Sequence, residues 1–139
     1  MYFTFQIPEK TTTKELAARI LSTQKDTVAS FGSENNHTGV PKTLLRIRQT
    51  TDIAIVELGA NHLGEIRNLC HIAKPTHGLI TNLGRDHIGY FGSESAIIEA
   101  NLELYTYLKQ TGGTVFVNIN NNLLMRYAEG LQSIIYGEN

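Results

Sequence analysis

The sequence predicts an α/β fold, a mostly parallel sheet flanked by helices, on three observations. Short β-branched or aromatic runs alternate with segments of helical period, the pattern of repeated βαβ units. The clearest strand, Asp52 to Glu57, carries Ile53-Ala54-Ile55-Val56, which is apolar on both faces as a parallel strand covered by helices tends to be. The helical segments end on stop signals, Pro75 after one and Gly112-Gly113 after another. At 139 residues the chain is sized for one domain, residues 1–139, without internal repeat, low-complexity stretch or interdomain linker.

Taken in order, Tyr2 to Gln6 reads as the first strand, and Thr12 to Ser22 as a helix with Leu16, Ala17, Ile20 and Leu21 on one face. Asp26 to Ser30 reads as a second strand, followed by a loop rich in Gly, Ser and Asn. Pro41 suits the first turn of a helix whose apolar face holds Leu44, Leu45 and Ile47. Beyond the strand at 52–57, a helix from about Gly64 to Ala73 spaces Ile66, Leu69, Cys70 and Ala73 at i, i+3, i+4 and i+7. Gly78 to Asn82 is the next strand, and Ser95 to Gln110 the longest helix, with Ile97, Ala100, Leu104 and Leu108 in register. Thr114 to Asn118 and Ser133 to Tyr136 are the last strands, separated by a helix around Leu123 to Gly130.

Charge and composition exclude several classes of partner. With 12 Lys plus Arg against 13 Asp plus Glu, the net charge of −1 gives no field to attract nucleic acid, and no basic block is present. No apolar run approaches the roughly 18 residues that a membrane span needs, so no membrane partner is expected. Met1 to Phe5 lacks the basic lead and long apolar stretch of a secretory signal. The single cysteine, Cys70, excludes an internal disulfide framework and a Cys-based zinc site. The expected location is the cytoplasm.

Right-handed crossovers gather the carboxyl ends of parallel strands on one edge, where ligands of open α/β folds bind. That edge collects the turn before Lys10, Glu57, Asn82 with the loop to His87, and Asn118. A strand, a turn and then Lys10-Thr11-Thr12-Thr13-Lys14 opening a helix supply the second half of a phosphate-binding loop: a helix N-terminus, a lysine for phosphate and a hydroxyl for Mg²⁺. The first half differs, because Gln6-Ile7-Pro8-Glu9 stand where glycines would let the backbone approach phosphate. Pro8 removes an N–H donor and Glu9 brings a negative charge. An ordinary capped helix start fits this segment alone better than a phosphate site.

Glu57 reads either as a carboxylate for Mg²⁺ or as a strand-terminal charge at the solvent edge. Gly59 and Gly64 on either side suit a loop of close approach. By itself His87 reads as a loop histidine paired with Asp86; His71 falls on a helix surface, His77 begins a strand, and Cys70 fills the core. Asn35-Asn36 and Asn120-Asn121-Asn122 fit ligand recognition, and equally Asx turns and helix caps.

Together these segments resemble the central ATP-binding domain of the Mur ligases, most closely the MurF type that adds D-alanyl-D-alanine to the UDP-muramoyl tripeptide. The matching stretches are KTTTKELAARILSTQ (residues 10–24), NNHTGVPKTLLRI (35–47), IAIVELGANHLGEIRNLCHIAKPTHGLITNLGRDHIGYFGS (53–93) and GGTVFVNINNNLL (112–124). A folate-polyglutamating ligase, with the same chemistry, fits NNHTGVP and ELGANHLGEI less well. The resemblance implies a P-loop-type fold and an ADP-forming amide ligase that uses ATP and Mg²⁺, activating a carboxylate as acyl phosphate before an amine attacks. Carried over by position, Lys10, Thr11, Thr12, Asn36 and Asn118 are the nucleotide-binding residues, and Thr11, Glu57 and His87 the metal ligands.

The departures are as informative. In the helix resembling the family's A-K-G-E-L segment this chain reads Ala100-Asn101-Leu102-Glu103-Leu104, so Asn101 stands where the family has a lysine that is carbamylated to bind a second Mg²⁺. Asn120 replaces an acidic residue after the strand ending at Asn118. The family's N-terminal UDP-substrate domain and C-terminal ligase domain have no counterpart in these 139 residues. The expectation is a degenerate MurF-like central domain that is inactive alone, with partners restricted to nucleotide and to Mur ligase domains in another chain. The alternative is a non-catalytic pseudoenzyme or protein-binding α/β module that no longer binds ATP.

Overall fold

A computed structural model describes residues 2–6, 10–83 and 93–138. Among them, six strands alternate with five helices: β1 (Tyr2–Gln6), α1 (Lys10–Leu21), β2 (Thr27–Ala29), α2 (Gly39–Leu45), β3 (Ile53–Leu58), α3 (Glu65–Ala73), β4 (His77–Ile80), α4 (Glu94–Thr111), β5 (Thr114–Asn118), α5 (Asn122–Tyr127) and β6 (Gln132–Tyr136). The strands form one sheet in the order β2-β3-β1-β4-β5-β6, and every pairing is parallel. The predicted α/β class is therefore correct. Because β1 lies between β3 and β4, the chain goes from β1 to the edge strand β2, returns as β3 beside β1 and crosses to β4 on the other side, so the carboxyl end of β1 is the switch point where such sheets bind ligands.

The alternation of β3 divides the core. All six of its residues are buried, yet consecutive side chains point to opposite faces. Ile53 and Ile55 pack with Ala17, Ala18 and Leu21 of α1. Val56 and Leu58 join the larger cluster on the other face, with Ile66, Leu69 and Cys70 of α3, Leu104 and Leu108 of α4, and Leu124 of α5. In α3 the four residues predicted to face inward, Ile66, Leu69, Cys70 and Ala73, are the buried ones. In α4, Ile97, Ala100, Leu104 and Leu108 are buried as predicted, joined by Asn101 and Tyr105. Burial pushes the Cys70 thiol up to about 12, which suits its reading as a core residue.

Two predicted helix faces are right only in part: Ala17, Leu21 and Leu44 pack inward as predicted, and the others do not. On α1, Leu16 and Ile20 are 57% and 68% exposed, and the inward stripe runs through fully buried Lys14 with half-buried Ala17, Ala18 and Leu21. The reason lies in β3, whose α1-facing positions end in a carboxylate, Glu57, so the facing helix turns a cation and small side chains inward. On α2, Gly39, Val40 and Thr43 are buried while Leu45 is 85% exposed. Pro41 stands in the first turn, and Leu44 packs against the core while Leu45, about 100° further round the helix, faces solvent. No helix among the described residues is long and apolar enough to cross a membrane.

The α2 correction has a measurable consequence. Val40→Ala should cost about 1–3 kcal/mol of stability as a buried truncation, whereas Leu45→Ala should change it by less than about 0.5 kcal/mol. Urea denaturation of both variants checks this, and equal losses would restore the predicted face.

Candidate nucleotide and cation site

Glu57 is the centre of the polar edge. The period of two that sends Ile53 and Ile55 toward α1 sends Glu57 there as well, one residue before β3 ends. It is 0% exposed, so it is not the solvent-edge charge that one reading of the sequence allowed. Its carboxylate is satisfied from within. Asn35 Nδ2 donates to Oε1 at 2.8 Å, Thr11 Oγ1 donates to Oε2 at 3.1 Å, and Lys14 Nζ lies 3.6 Å from Oε2.

The backbone around the carboxylate is held by the segment after β2. Ser30 N–H donates to the Ile55 carbonyl at 3.0 Å, and the Glu57 N–H donates to Ser30 Oγ at 3.0 Å. Thr43 Oγ1 donates to the same Ser30 hydroxyl at 3.1 Å. Farther along, Arg46 pairs with Glu34 at 2.9 Å, donates to the Ala29 carbonyl and lies 4.3 Å from the centre of the Phe31 ring. The hydrogen bond from Arg46 holds the Glu34 carboxyl below its ordinary value. The loop that delivers Asn35 is thus tied at several points.

The two adjacent asparagines have different tasks. Asn35 accepts the Gly59 N–H at 2.8 Å through its carbonyl while its side chain reaches Glu57. Asn36 Oδ1 accepts from the N–H groups of Thr38 and Gly39 at 3.0 and 2.9 Å, a local turn that leads into α2. Both asparagines line a cavity of about 510 Å³ with His37, Gly59, Asn61 and Asn68. Gly59 is required by proximity, since a Cβ there would lie 2.8 Å from Asn35 Cγ.

Past Gly59, the loop into α3 is anchored by two carboxylates. Glu65 accepts the Asn61 and His62 N–H groups at 2.7 and 3.2 Å, and the Asn61 bond is the main reason its carboxyl sits below the ordinary range. Glu103, from α4, accepts the Gly64 and Arg67 N–H groups at 2.7 and 2.9 Å, which satisfies the start of α3 and complements its dipole.

The other site residues named from the sequence are distributed as follows. Lys10 is the first residue of α1 and Thr12 is exposed on it. Asn118 ends β5, and its Oδ1 accepts the Asn120 N–H at 2.9 Å. Asn121 caps α5 by accepting the Leu124 N–H at 3.0 Å. His87, and the Pro8-Glu9 departure, lie outside the described residues. Asn101 is buried, and its Nδ2 donates to the Ile97 carbonyl at 2.8 Å.

The residues that sequence reasoning missed are Lys14, Ser30 and Thr43, together with the separation of Asn35 from Asn36. A signal existed for one of them. Thr11, Lys14, Ala17, Ala18 and Leu21 fall on one helical stripe, facing the stripe of β3 that holds Glu57. Nothing in the sequence marks Ser30.

A carboxylate oxygen beside a hydroxyl is a pair of oxygen donors suited to a hard divalent cation, so Thr11 and Glu57 fit Mg²⁺. No group of three or more His, Cys, Asp or Glu gathers among the described residues, and such a cation would complete its shell with phosphate oxygens and water. Asn101 does not fit a second metal. Its amide cannot form a carbamate and brings no charge.

Six parallel strands, with a helix after the central strand and a buried acid on its neighbour, define a doubly wound α/β domain. More particularly, the chain belongs to the Mur ligase middle domain family, whose match spans residues 10–139. It is 46% identical over 131 residues to the UDP-N-acetylmuramoyl-tripeptide–D-alanyl-D-alanine ligase of Synechocystis sp., covering 92% of this chain and 29% of that one. With the Bacillus subtilis enzyme of the same name it shares 38% over 128 residues, covering 92% of this chain and 28% of the relative. The crystal structure of MurF from Acinetobacter baumannii superposes with a TM-score of 0.83 at 34% identity, over 99% of this chain and 31% of that one. MurF from Thermotoga maritima, solved in complex with ADP, shares the fold with a TM-score of 0.84 at 24% identity, over 98% of this chain and 32% of that one. The chain spans just under a third of the length of these relatives.

Two outcomes test the site's construction. Gly59→Ala should displace Asn35 from Glu57 and cost about 1–3 kcal/mol. The double variant with Asn35→Ala should cost less than the sum of the two, and additive losses in urea melts would show that the glycine serves something else. Glu65 gives a pH dependence. Its native carboxyl lies below the ordinary 4.5, so the stability it contributes is full above that value and is lost as pH falls through the native one. Glu65→Gln should flatten the acid limb of the stability curve in that window; an unchanged limb would remove Glu65 as its source.

Proposed function

We propose that this chain is the nucleotide-binding central domain of an ADP-forming amide ligase of the MurF type, acting in the synthesis of a peptidoglycan precursor. The carrying observation is the pairing of Thr11 with a fully buried Glu57 at the carboxyl edge beside β1. In this reading the phosphates of ATP lie at the start of α1, where Lys10, Thr11 and Thr12 bring backbone N–H groups and the positive end of the helix dipole. Thr11 and Glu57 hold Mg²⁺, and His87 is a further ligand. Asn36 and Asn118 flank the nucleotide. When bound, the cation neutralises charge on the phosphates being transferred.

The reaction such a domain serves is transfer of the γ-phosphoryl group of ATP to a substrate carboxylate, releasing ADP. An amine then displaces phosphate from the acyl phosphate to form the amide. Lys10 would offset the charge that develops on the leaving phosphate, and Asn35 keeps Glu57 Oε1 from turning away. The carboxylate and amine substrates, and closure against water, belong to domains outside this chain, supplied by an N-terminal UDP-substrate domain and a C-terminal ligase domain in the same or another polypeptide. Catalysis of this kind depends on positioning and exclusion of water. The 139 residues alone therefore bind nucleotide without turnover.

A second reading has its own support. Asn101 provides a neutral amide tied to its own helix where the family uses a carbamylated lysine, which favours a pseudoenzyme that has lost ligase chemistry and serves as a protein-binding module. Isothermal titration of the 139-residue chain with ATP, with and without Mg²⁺, separates the two. Saturable Mg²⁺-dependent heat, weakened at least tenfold in Lys10→Ala and Glu57→Gln, is the expected result. Absence of heat at millimolar ATP would overturn nucleotide binding and leave the pseudoenzyme reading.

A further inference from the structure

Lys14 is the buried charged group that the proposed chemistry does not use. Its side chain is 0% exposed and its ammonium sits among four oxygens: the carbonyls of Ser30 at 2.7 Å and Gly32 at 2.8 Å, Glu15 Oε1 at 3.0 Å and Glu57 Oε2 at 3.6 Å. An ammonium has three hydrogens to give. Two go to the carbonyls after β2, and the third lies between two carboxylates of different character. Glu57 is buried, whereas the Glu15 side chain is 55% exposed.

We propose that Lys14 is a positioning residue, a tethered counter-ion that stands in for a divalent cation at Glu57 while that site is empty. The inference rests on the reading of Glu57 as a cation ligand. A buried carboxylate without an opposite charge is strongly disfavoured, so the metal-free protein needs Lys14 to keep Glu57 folded inward, with Oε2 toward Thr11 and Oε1 toward Asn35. The same charge opposes an arriving cation. Because Lys14 is fastened to two backbone carbonyls it cannot leave. Glu15 is placed to retain it when the charge of Glu57 is drawn to the metal.

This arrangement has a signature that a purely structural lysine lacks. If Lys14 only fastened the segment after β2, removing it would weaken or leave unchanged the binding of a cation at Glu57. As a resident counter-ion, its removal destabilises the metal-free protein and tightens cation binding, because a fixed positive charge beside the ligand oxygen is gone.

The experiment uses the 139-residue chain with Mn²⁺ as the probe, its free concentration read by electron paramagnetic resonance and its effect on folding read by thermal melting. Lys14→Met should lower the metal-free Tm by 5 °C or more, bind Mn²⁺ at least tenfold more tightly than wild type, and regain most of the lost Tm when Mn²⁺ saturates. Adding Glu57→Gln should restore much of the metal-free Tm and abolish the Mn²⁺ effect. Where Lys14→Met alone does not fold, recovery of a folded protein in the double variant, or on adding Mn²⁺, supports the counter-ion. A double variant no more stable than Lys14→Met, or Mn²⁺ binding unchanged or weakened by Lys14→Met, overturns it. Wild-type Mn²⁺ binding that survives Glu57→Gln would instead overturn the assignment of Glu57 as a ligand, while the metal-free stability cycle still reports whether Lys14 and Glu57 are coupled.

Discussion

A charge removed from water must be answered inside the protein, and Glu57 imposes that requirement on everything around it. Its position follows from β3, an apolar strand whose alternate residues face α1. Continuing that alternation one step to the carboxyl edge brings a carboxylate into the same dry layer. Lys14 is the charge that answers it, and Thr11 and Asn35 occupy its remaining acceptor sites. The inward face of α1, the path of the chain after β2 and the glycine at position 59 can all be read as consequences. Each brings a donor to this carboxylate or makes room for one.

The rest of the polar edge is organised by the same rule applied to backbone groups. The loop between β3 and α3 and the start of α3 carry N–H groups with no helical partners, and Glu65 and Glu103 take them up. Because Glu103 belongs to α4, the longest helix is joined to the loop that borders the cavity beside Glu57. Two residues earlier on α4, Asn101 Nδ2 donates to the Ile97 carbonyl of the same helix. The polar edge therefore combines a buried carboxylate held from three sides with a neutral amide, Asn101, on the inward face of α4.

Much of this was legible in the residues. The runs at 53–58 and 114–118, and the helices around Ile66 and Ile97, are periodic enough that burial leaves one solution. Glu57, Thr11 and the polar edge also followed from the order of strands and helices. The faces of α1 and α2 followed only in part. In α1, Leu16 and Ile20 have greater hydrophobicity than Lys14, but hydrophobicity alone cannot register that the opposing strand presents a carboxylate. In α2, Val40 and Thr43 take the inward positions, and hydrophobicity alone could not rank a threonine above Leu45. The asparagine pair was ambiguous because adjacent asparagines fit ligand recognition and local turns alike; Asn36 makes the turn, and Asn35 holds Glu57 across the fold, a task neither reading named.

The sequence by itself determined the class of fold, the strand that carries the buried acid and the helix that begins with Lys10, because period, punctuation and apolar runs are local properties. Only the tertiary structure decided that Lys14 faces the core, that Asn35 and not Asn36 holds Glu57, and that Ser30 and Thr43 support both. Those assignments depend on which donor lies within about 3 Å of which acceptor across elements far apart in the chain, and no local pattern records that distance.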